Sequence, residues 1–105
     1  MIENLKNLEA SYFTDYLNQS FSITTDSGEQ VEAELSQVTA IETHQAAASQ
    51  EKRRQPFSIV FTGPMQPVLP QGIYLLKHEK LEPLSLFIVP ISPDEKGMRY
   101  EAVFN

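Results

Sequence analysis

The chain of 105 residues contains no cysteine, which excludes disulfide bonds and thiolate chemistry. Small secreted domains often need disulfides for stability, so this absence also favours a reducing compartment such as the cytoplasm. Only two histidines are present, His44 and His78, and neither has the sequence context of a catalytic base or the spacing of a metal ligand. The sequence therefore predicts a non-enzymatic protein with no catalytic residue, no metal site and no cofactor.

Long apolar runs are missing as well. The longest, residues 86–91, is as short as a strand and contains Pro90, whereas a membrane helix needs about 18 apolar residues. The N-terminus lacks a basic segment followed by a long apolar run, so we expect no signal peptide. The four glycines are isolated beside turn signals, and none forms a phosphate-binding loop ahead of a helix.

Positive charge is scarce, because eight Lys and Arg face fourteen Asp and Glu and leave a net charge of −6. Such a chain is repelled by nucleic acids and anionic lipids unless its cations cluster. The one cluster, Lys52-Arg53-Arg54, is narrower than the broad basic face of a nucleic-acid-binding protein. We therefore expect neither a nucleic-acid partner nor a membrane partner. Glu32 and Glu34 fall on the same side of a strand pattern and are interpreted as a solvated face.

The hydrophobic pattern predicts one helix and six strands in a single domain of residues 1–105. Apolar residues between Asn4 and Leu17 recur at helical spacing, which predicts an N-terminal helix within residues 1–18. From Phe21 the period changes to two, and the predicted strands cover residues 21–25, 31–41, 57–62, 73–78, 84–91 and 98–104. Short antiparallel strands in series favour a mainly β fold, a small six-stranded antiparallel barrel or sandwich, because closing the sheet removes exposed edges.

Turn and loop signals separate these strands. Asp26-Ser27-Gly28 predicts a tight turn in which Gly28 takes a positive φ, and a one-residue slip at Gln37-Val38 predicts a β-bulge. Further turns are expected at residues 79–83 and 92–97. Residues 44–55 are polar and predict a long loop, and three prolines between Gly63 and Gly72 predict a stiff extended loop.

Alternation within the strands predicts which side chains form the core. The predicted core residues are Phe21, Ile23, Val31, Leu35, Phe57, Ile59, Phe61, Tyr74, Leu76, Leu86, Ile88, Tyr100 and Ala102. A slip of one residue in any strand would bury the opposite face instead.

Two strands carry more apolar side chains than a half-solvated sheet needs. Residues 84–91 are apolar on both faces, so the N-terminal helix, another subunit or a partner protein must cover the second face. The final strand keeps its strand-like pattern up to the large aromatic Phe104, so it either closes the sheet or forms an edge that pairs with a partner. The interface candidates are Leu84, Phe87, Val89, Val103 and Phe104.

Three segments of the second half carry a family resemblance: Pro56–Pro64 (PFSIVFTGP), Leu69–Tyr74 (LPQGIY) and Gly97–Asn105 (GMRYEAVFN). Over residues 8 to 105 the chain resembles a family of short bacterial domains of unknown function. The resemblance implies a small β domain with no established activity or cofactor. Because members tend to be encoded near proteins resembling phage tail-collar and tail-fibre proteins, it also implies an accessory or structural role.

The sequence thus favours a non-enzymatic structural or interaction protein that assembles with itself or with a tail-fibre-like protein. The alternative is a small acidic regulatory or inhibitor-type module that masks a basic site on its target. An enzyme or ligand carrier that uses the barrel interior is the third possibility, and we expect no small-molecule ligand. The expected location is the cytoplasm, or a phage-tail-like or extracellular assembly reached without a classical signal peptide.

Limited digestion with trypsin is expected to cut first after Lys52, Arg53 or Arg54. These sites lie in the long polar loop predicted at residues 44–55, where the backbone should be the most accessible. Mass spectrometry of the first fragments checks this expectation, and a first cut after Lys80 would contradict it.

Overall fold

The computed structural model describes residues 9–41, 56–66 and 68–104. Within these ranges one short helix is followed by six strands. Their bounds are α1 (Ala10–Thr14), β1 (Ser20–Thr24), β2 (Gln30–Ala40), β3 (Phe57–Gly63), β4 (Gly72–His78), β5 (Leu81–Asp94) and β6 (Gly97–Phe104). The predicted loop at residues 44–55 and the first eight residues of the predicted helix lie outside the described residues.

The six strands form a closed antiparallel barrel in the order β1-β2-β3-β6-β5-β4, which confirms the predicted fold class and selects the barrel over the sandwich. Pairing of β1 with β4 closes the ring. The final strand lies between β3 and β5, with Ile59 opposite Ala102 and Val89 opposite Glu101. The interpretation of this strand as a free edge is therefore wrong, because both of its sides already pair within the barrel.

The predicted turn and bulge are both present. Gly28 has φ +90° in the β1–β2 turn. The register of β2 against β3 shifts between Leu35 and Gln37, so that Ser36 is the extra residue. The Ser36 hydroxyl donates to the Val60 carbonyl oxygen (3.1 Å) and lies 2.9 Å from Oγ1 of Thr62. The side chain of the bulged residue is thus hydrogen-bonded to the neighbouring strand β3.

Other boundaries differ from the prediction. The helix ends at Thr14 rather than at residue 18. The next backbone N–H groups bond three residues back, Tyr16 to Phe13 and Leu17 to Thr14, and Asn18 then takes a left-handed conformation (φ +70°) that ends the turn. Strand β5 extends beyond the predicted residues 84–91 at both ends. Pro83 and Pro93, which the sequence places in turns, fall at register shifts where the missing N–H of proline is tolerated.

Every predicted core residue is buried, so the assignment of strand faces is confirmed. The core also contains side chains that the alternation did not select. These are Phe13, Ala33, Val60, Leu69, Leu84 and Phe104.

One end of the barrel is closed by α1. Phe13 is fully buried, and its ring centroid lies 5.9 Å from that of Phe57 and 5.5 Å from that of Phe104. The rings of Phe57 and Phe104 stack at 4.5 Å with an interplanar angle of 5°. Phe104 therefore packs inside its own barrel, where the rings of Phe13 and Phe57 cover it.

The other end is closed by the proline-containing segment between β3 and β4. Leu69 is buried there, and its backbone N–H donates to the Tyr100 hydroxyl at 2.9 Å. The Tyr74 hydroxyl donates to the Pro70 carbonyl oxygen at 2.6 Å. Burial raises the pKa of Tyr74, and Tyr100 and Asp26 raise it further, which keeps this hydroxyl protonated as a donor.

Replacing Phe61 by Ala should lower the free energy of unfolding by about 3–5 kcal/mol, because a fully buried aromatic ring leaves a cavity behind. The matched control is Phe87→Ala, at a phenylalanine that is 53% exposed, where we expect a change of less than about 1 kcal/mol. Urea unfolding of both variants checks which face of each strand points into the core. Equal destabilisation would show that the inner and outer faces are assigned wrongly.

Replacing Gly97 by Ala should destabilise the barrel by about 2–4 kcal/mol. Gly97 has φ +153°, and an added Cβ would collide with the carbonyl oxygen of Gly63, a backbone atom that cannot move aside by rotating. Gly28→Ala is the control, because its positive φ adds strain of about 1 kcal/mol while the surrounding space is open. Thermal melts that ranked the two variants in the opposite order would exclude this explanation.

Candidate functional site

The interior of the barrel is filled by packed side chains from all six strands and from both end segments. Within the described residues, no group of three or more His, Asp and Glu side chains is placed to hold a metal ion. His78 lies half-buried at the rim of the barrel, and His44 lies outside the described residues. The features that can contact another molecule are therefore on the outer surface.

Three exposed apolar side chains lie at the same level on neighbouring strands, and we call them the outer apolar row: Ile73, Phe87 and Val103. Ile73 of β4 pairs directly with Phe87 of β5. Val89 of β5 lies opposite Glu101 of β6. Continuing this antiparallel register by two residues places Phe87 level with Val103 of β6. Their exposed fractions are 67%, 53% and 52%, so more than half of each side chain remains in contact with solvent.

The structure separates the predicted interface candidates into two groups. Phe87 and Val103 lie in the outer apolar row, and Val89 is half-buried two residues from Phe87 on the same face of β5. Leu84 and Phe104 point inward and are each only 4% exposed. These two are corrected from interface candidates to core residues, because their strands turn those positions toward the barrel interior.

Ile73 was missed as a surface candidate. The sequence shows only that it precedes the buried Tyr74, which is the ordinary alternation of a half-exposed strand. Its place beside Phe87 depends on the register between β4 and β5, and no local pattern specifies that register.

The opposite side of the barrel, formed by β1 and β2, is polar and acidic. Glu32 and Glu34 are exposed on β2, opposite Ser22 and Ser20 of β1, and this confirms the prediction of a solvated face. Asp26 and Glu29 extend the negative charge into the connecting turn. The outer surface of the barrel thus carries the outer apolar row on β4 to β6 and an acidic region on β1 and β2.

A shallow groove of about 700 Å³ runs beside the acidic region, where the small side chains of β1 leave space. Its lining residues are Gln19, Ser20, Ser22, Glu32, Lys77, His78, Glu79, Leu81 and Pro83. A second hollow of about 270 Å³ shares Ser20 and Glu32 with it. Both are open depressions of the outer wall, lined by side chains of both charges.

Among the described residues, no helix combines the length and the apolar character that crossing a membrane requires. No curated protein and no solved structure matches the chain. Residues 8–104 match the family model of a domain of unknown function, DUF6916. The matched range contains the segments at residues 56–64 and 69–74 and all but the last residue of the segment at 97–105, which together carry the resemblance to short domains of unknown function. Because the match covers nearly the whole chain, this protein belongs to the DUF6916 family.

Proposed function

We propose that this protein is a non-enzymatic interaction protein that assembles through the outer apolar row, and that its first partner is a second copy of itself. The observation that supports the proposal is the row itself. No side chain among the described residues covers Ile73, Phe87 and Val103, and burying them against another molecule would remove this apolar surface from water.

The distribution of charge favours a second copy. Two chains with a net charge of −6 repel each other unless they meet through a region with little charge. Along the three strands, the described residues two positions from the row are Gln71, Leu75, Ser85, Val89 and Glu101, of which only Glu101 is charged. A two-fold contact through this region keeps the acidic β1–β2 sides of both copies turned away from each other.

The closed sheet determines the kind of contact. Each strand has a strand neighbour on both sides, so a partner cannot be added by extending a sheet edge. It must pack face to face against the outer side chains. The row exposes on the order of a few hundred Å² of apolar surface, and contacts that bury less than about 1,200 Å² in total belong to weak, reversible complexes.

The proposed function also includes a role in a larger assembly. We propose that the self-associated protein is an accessory component of an assembly containing phage-tail-fibre-like proteins, and that it resides in the cytoplasm or in that assembly. The support is the resemblance of residues 56–64, 69–74 and 97–105 to bacterial domains encoded near such proteins. A contact region with little charge on a small closed barrel is compatible with this role.

A second candidate function uses the acidic side. Asp26, Glu29, Glu32 and Glu34 present four carboxylates on one hairpin, which suits a regulatory or inhibitor-type module that covers a basic site on a target. Ionic strength separates the two functions. A contact through the acidic side weakens as salt increases, whereas a contact through the outer apolar row does not.

Sedimentation equilibrium over a wide concentration range tests the proposal. We expect reversible association from 11.9 kDa toward twice that mass, insensitive to added salt. Phe87→Ser should shift the association at least tenfold toward the monomer, because the central side chain of the row is lost. The matched control is Val68→Ser, which removes an equally exposed apolar side chain (52%) outside the row and should associate like the parent.

Two results would contradict self-association through the row. One is a parent protein that remains monomeric at all concentrations, and the other is equal weakening by both substitutions. Association that disappears on adding salt would instead support a contact through the acidic side.

A further inference from the structure

The carboxylate of Glu101 lies at the margin of the outer apolar row. Glu101 faces outward from β6, because both of its neighbours in the chain are buried in the barrel interior. It stands two residues before Val103 of the row and directly opposite Val89 of β5, which is itself two residues from Phe87. Glu101 is therefore diagonal to the central side chain of the row.

The immediate surroundings of this carboxylate are apolar. On one side Glu101 lies opposite Val60 of β3, which is only 5% exposed, and on the other side opposite the half-buried Val89. Along its own strand the next outward residue is Val103. Glu101 itself is half-buried among these three valines, none of which can pair with a carboxylate.

One cation lies nearby, and it is bound elsewhere. The guanidinium of Arg99 donates from Nε to the Ser92 carbonyl oxygen at 2.9 Å and from Nη2 to the Ser92 hydroxyl at 3.0 Å. In the part of the chain that the structure describes, the other outward positions around Glu101 are uncharged: Ser58, Val60 and Thr62 on β3, Phe87, Val89 and Ile91 on β5, and Val103 on β6. Because arginine keeps its charge, Glu101 is the group in these positions that can change charge on mild acidification.

A second copy seated on the row must also cover Glu101. A specific contact covers about 800 Å² on each partner, whereas the row exposes on the order of a few hundred Å². The contact therefore extends to the positions next to the row, and Glu101 is the charged residue among those described. A carboxylate that is covered by apolar groups loses its water, which disfavours its ionised form.

We propose that Glu101 regulates the self-association: its ionised carboxylate keeps the contact weak near neutral pH, and its protonation on mild acidification tightens the contact. This inference rests on the proposed function, because it concerns the same contact between two copies. The sign follows from linkage. Since covering disfavours the ionised form, association takes up a proton and strengthens as the pH falls. A carboxylate covered by apolar groups binds its proton at a higher pH than the ordinary value for glutamate of about 4.3.

Sedimentation equilibrium at about pH 7 and about pH 5 tests this role, with the parent protein and two matched variants. Glu101→Gln removes the charge at nearly constant shape, and at pH near 7 it should associate at least about tenfold more tightly than the parent. Glu34→Gln is the control, because it lowers the net negative charge equally but lies in the acidic region that faces away from the contact. It should associate like the parent, to within about twofold.

The pH dependence gives a second, independent reading. The parent protein and Glu34→Gln should both tighten on acidification, by about tenfold, whereas Glu101→Gln should lose most of this response. Protonation of His44 and His78 lowers the net charge in all three proteins alike, so the difference between the variants isolates Glu101. The comparison of the parent protein at the two pH values needs no variant to fold.

The role of Glu101 is overturned if both substitutions change the association equally, since net charge alone would then explain the effect. It is also overturned if Glu101→Gln weakens the association, which would indicate a cation of the second copy paired with Glu101, or if it keeps the full pH response of the parent. These results differ from failure of the proposed contact. Association that Phe87→Ser does not weaken, or no association of any of the three proteins at either pH, contradicts the contact itself and with it the role of Glu101.

Discussion

The pairing of β1 with β4 is the contact on which the rest of the structure depends. It comprises only three residue pairs: Ser22 with Lys77, Ile23 with Leu76 and Thr24 with Leu75. Without it, the same strand order would form an open sheet with two free edges and one wide apolar face. With it, the inward side chains surround a space that must be filled from its ends as well as its walls. Phe13 and Leu69, from segments outside the strands, fill those ends.

Most of the barrel wall could be predicted from the sequence because the signals that specify it lie within short segments of the chain. Alternation selects the inner face of each strand, and the Gly28 turn and the Ser36 bulge are visible as a turn signal and a slip in the alternation. Leu69 could not be predicted as a core residue in this way. It lies in a proline-containing segment without periodicity, and only its hydrogen bond to Tyr100, 31 residues away, explains why it is buried.

The proline residues of β5 show where local signals mislead. Pro83 and Pro93 were assigned to turns because proline disfavours a central strand. In the barrel, each lies where β5 has one residue more than its partner, so the strand continues past it. Leu84 and Phe104 were interface candidates because residues 84–91 are apolar on both faces and because Phe104 is a large aromatic near the chain end. The sequence alone does not show which of these side chains the neighbouring strands cover.

The outer surface was the least predictable part, because it is defined by registers between strands. Phe87 and Val103 could be selected from the sequence as surplus apolar residues, but Ile73 joins them only through the β4–β5 pairing. The same strand carries Ile73, which is exposed beside Phe87, and His78, which is half-buried at the rim. Alternation along a single seven-residue strand therefore places the two residues on opposite faces of the sheet.

The small barrel fills its interior with its own side chains. Phe57, Phe61, Tyr100 and their neighbours pack together there, so the proposed contact with another molecule is placed on the outer surface. The outside offers a fixed surface, because every outward side chain is held by strands paired on both sides. The end where α1 is attached is held by aromatic packing around Phe13 and by backbone hydrogen bonds that join Asn18 and Gln19 to Leu35 of β2. The wall therefore presents its outward side chains on a continuous ring of paired strands, whereas the end depends on a few specific contacts, and breaking those contacts does not require opening the sheet.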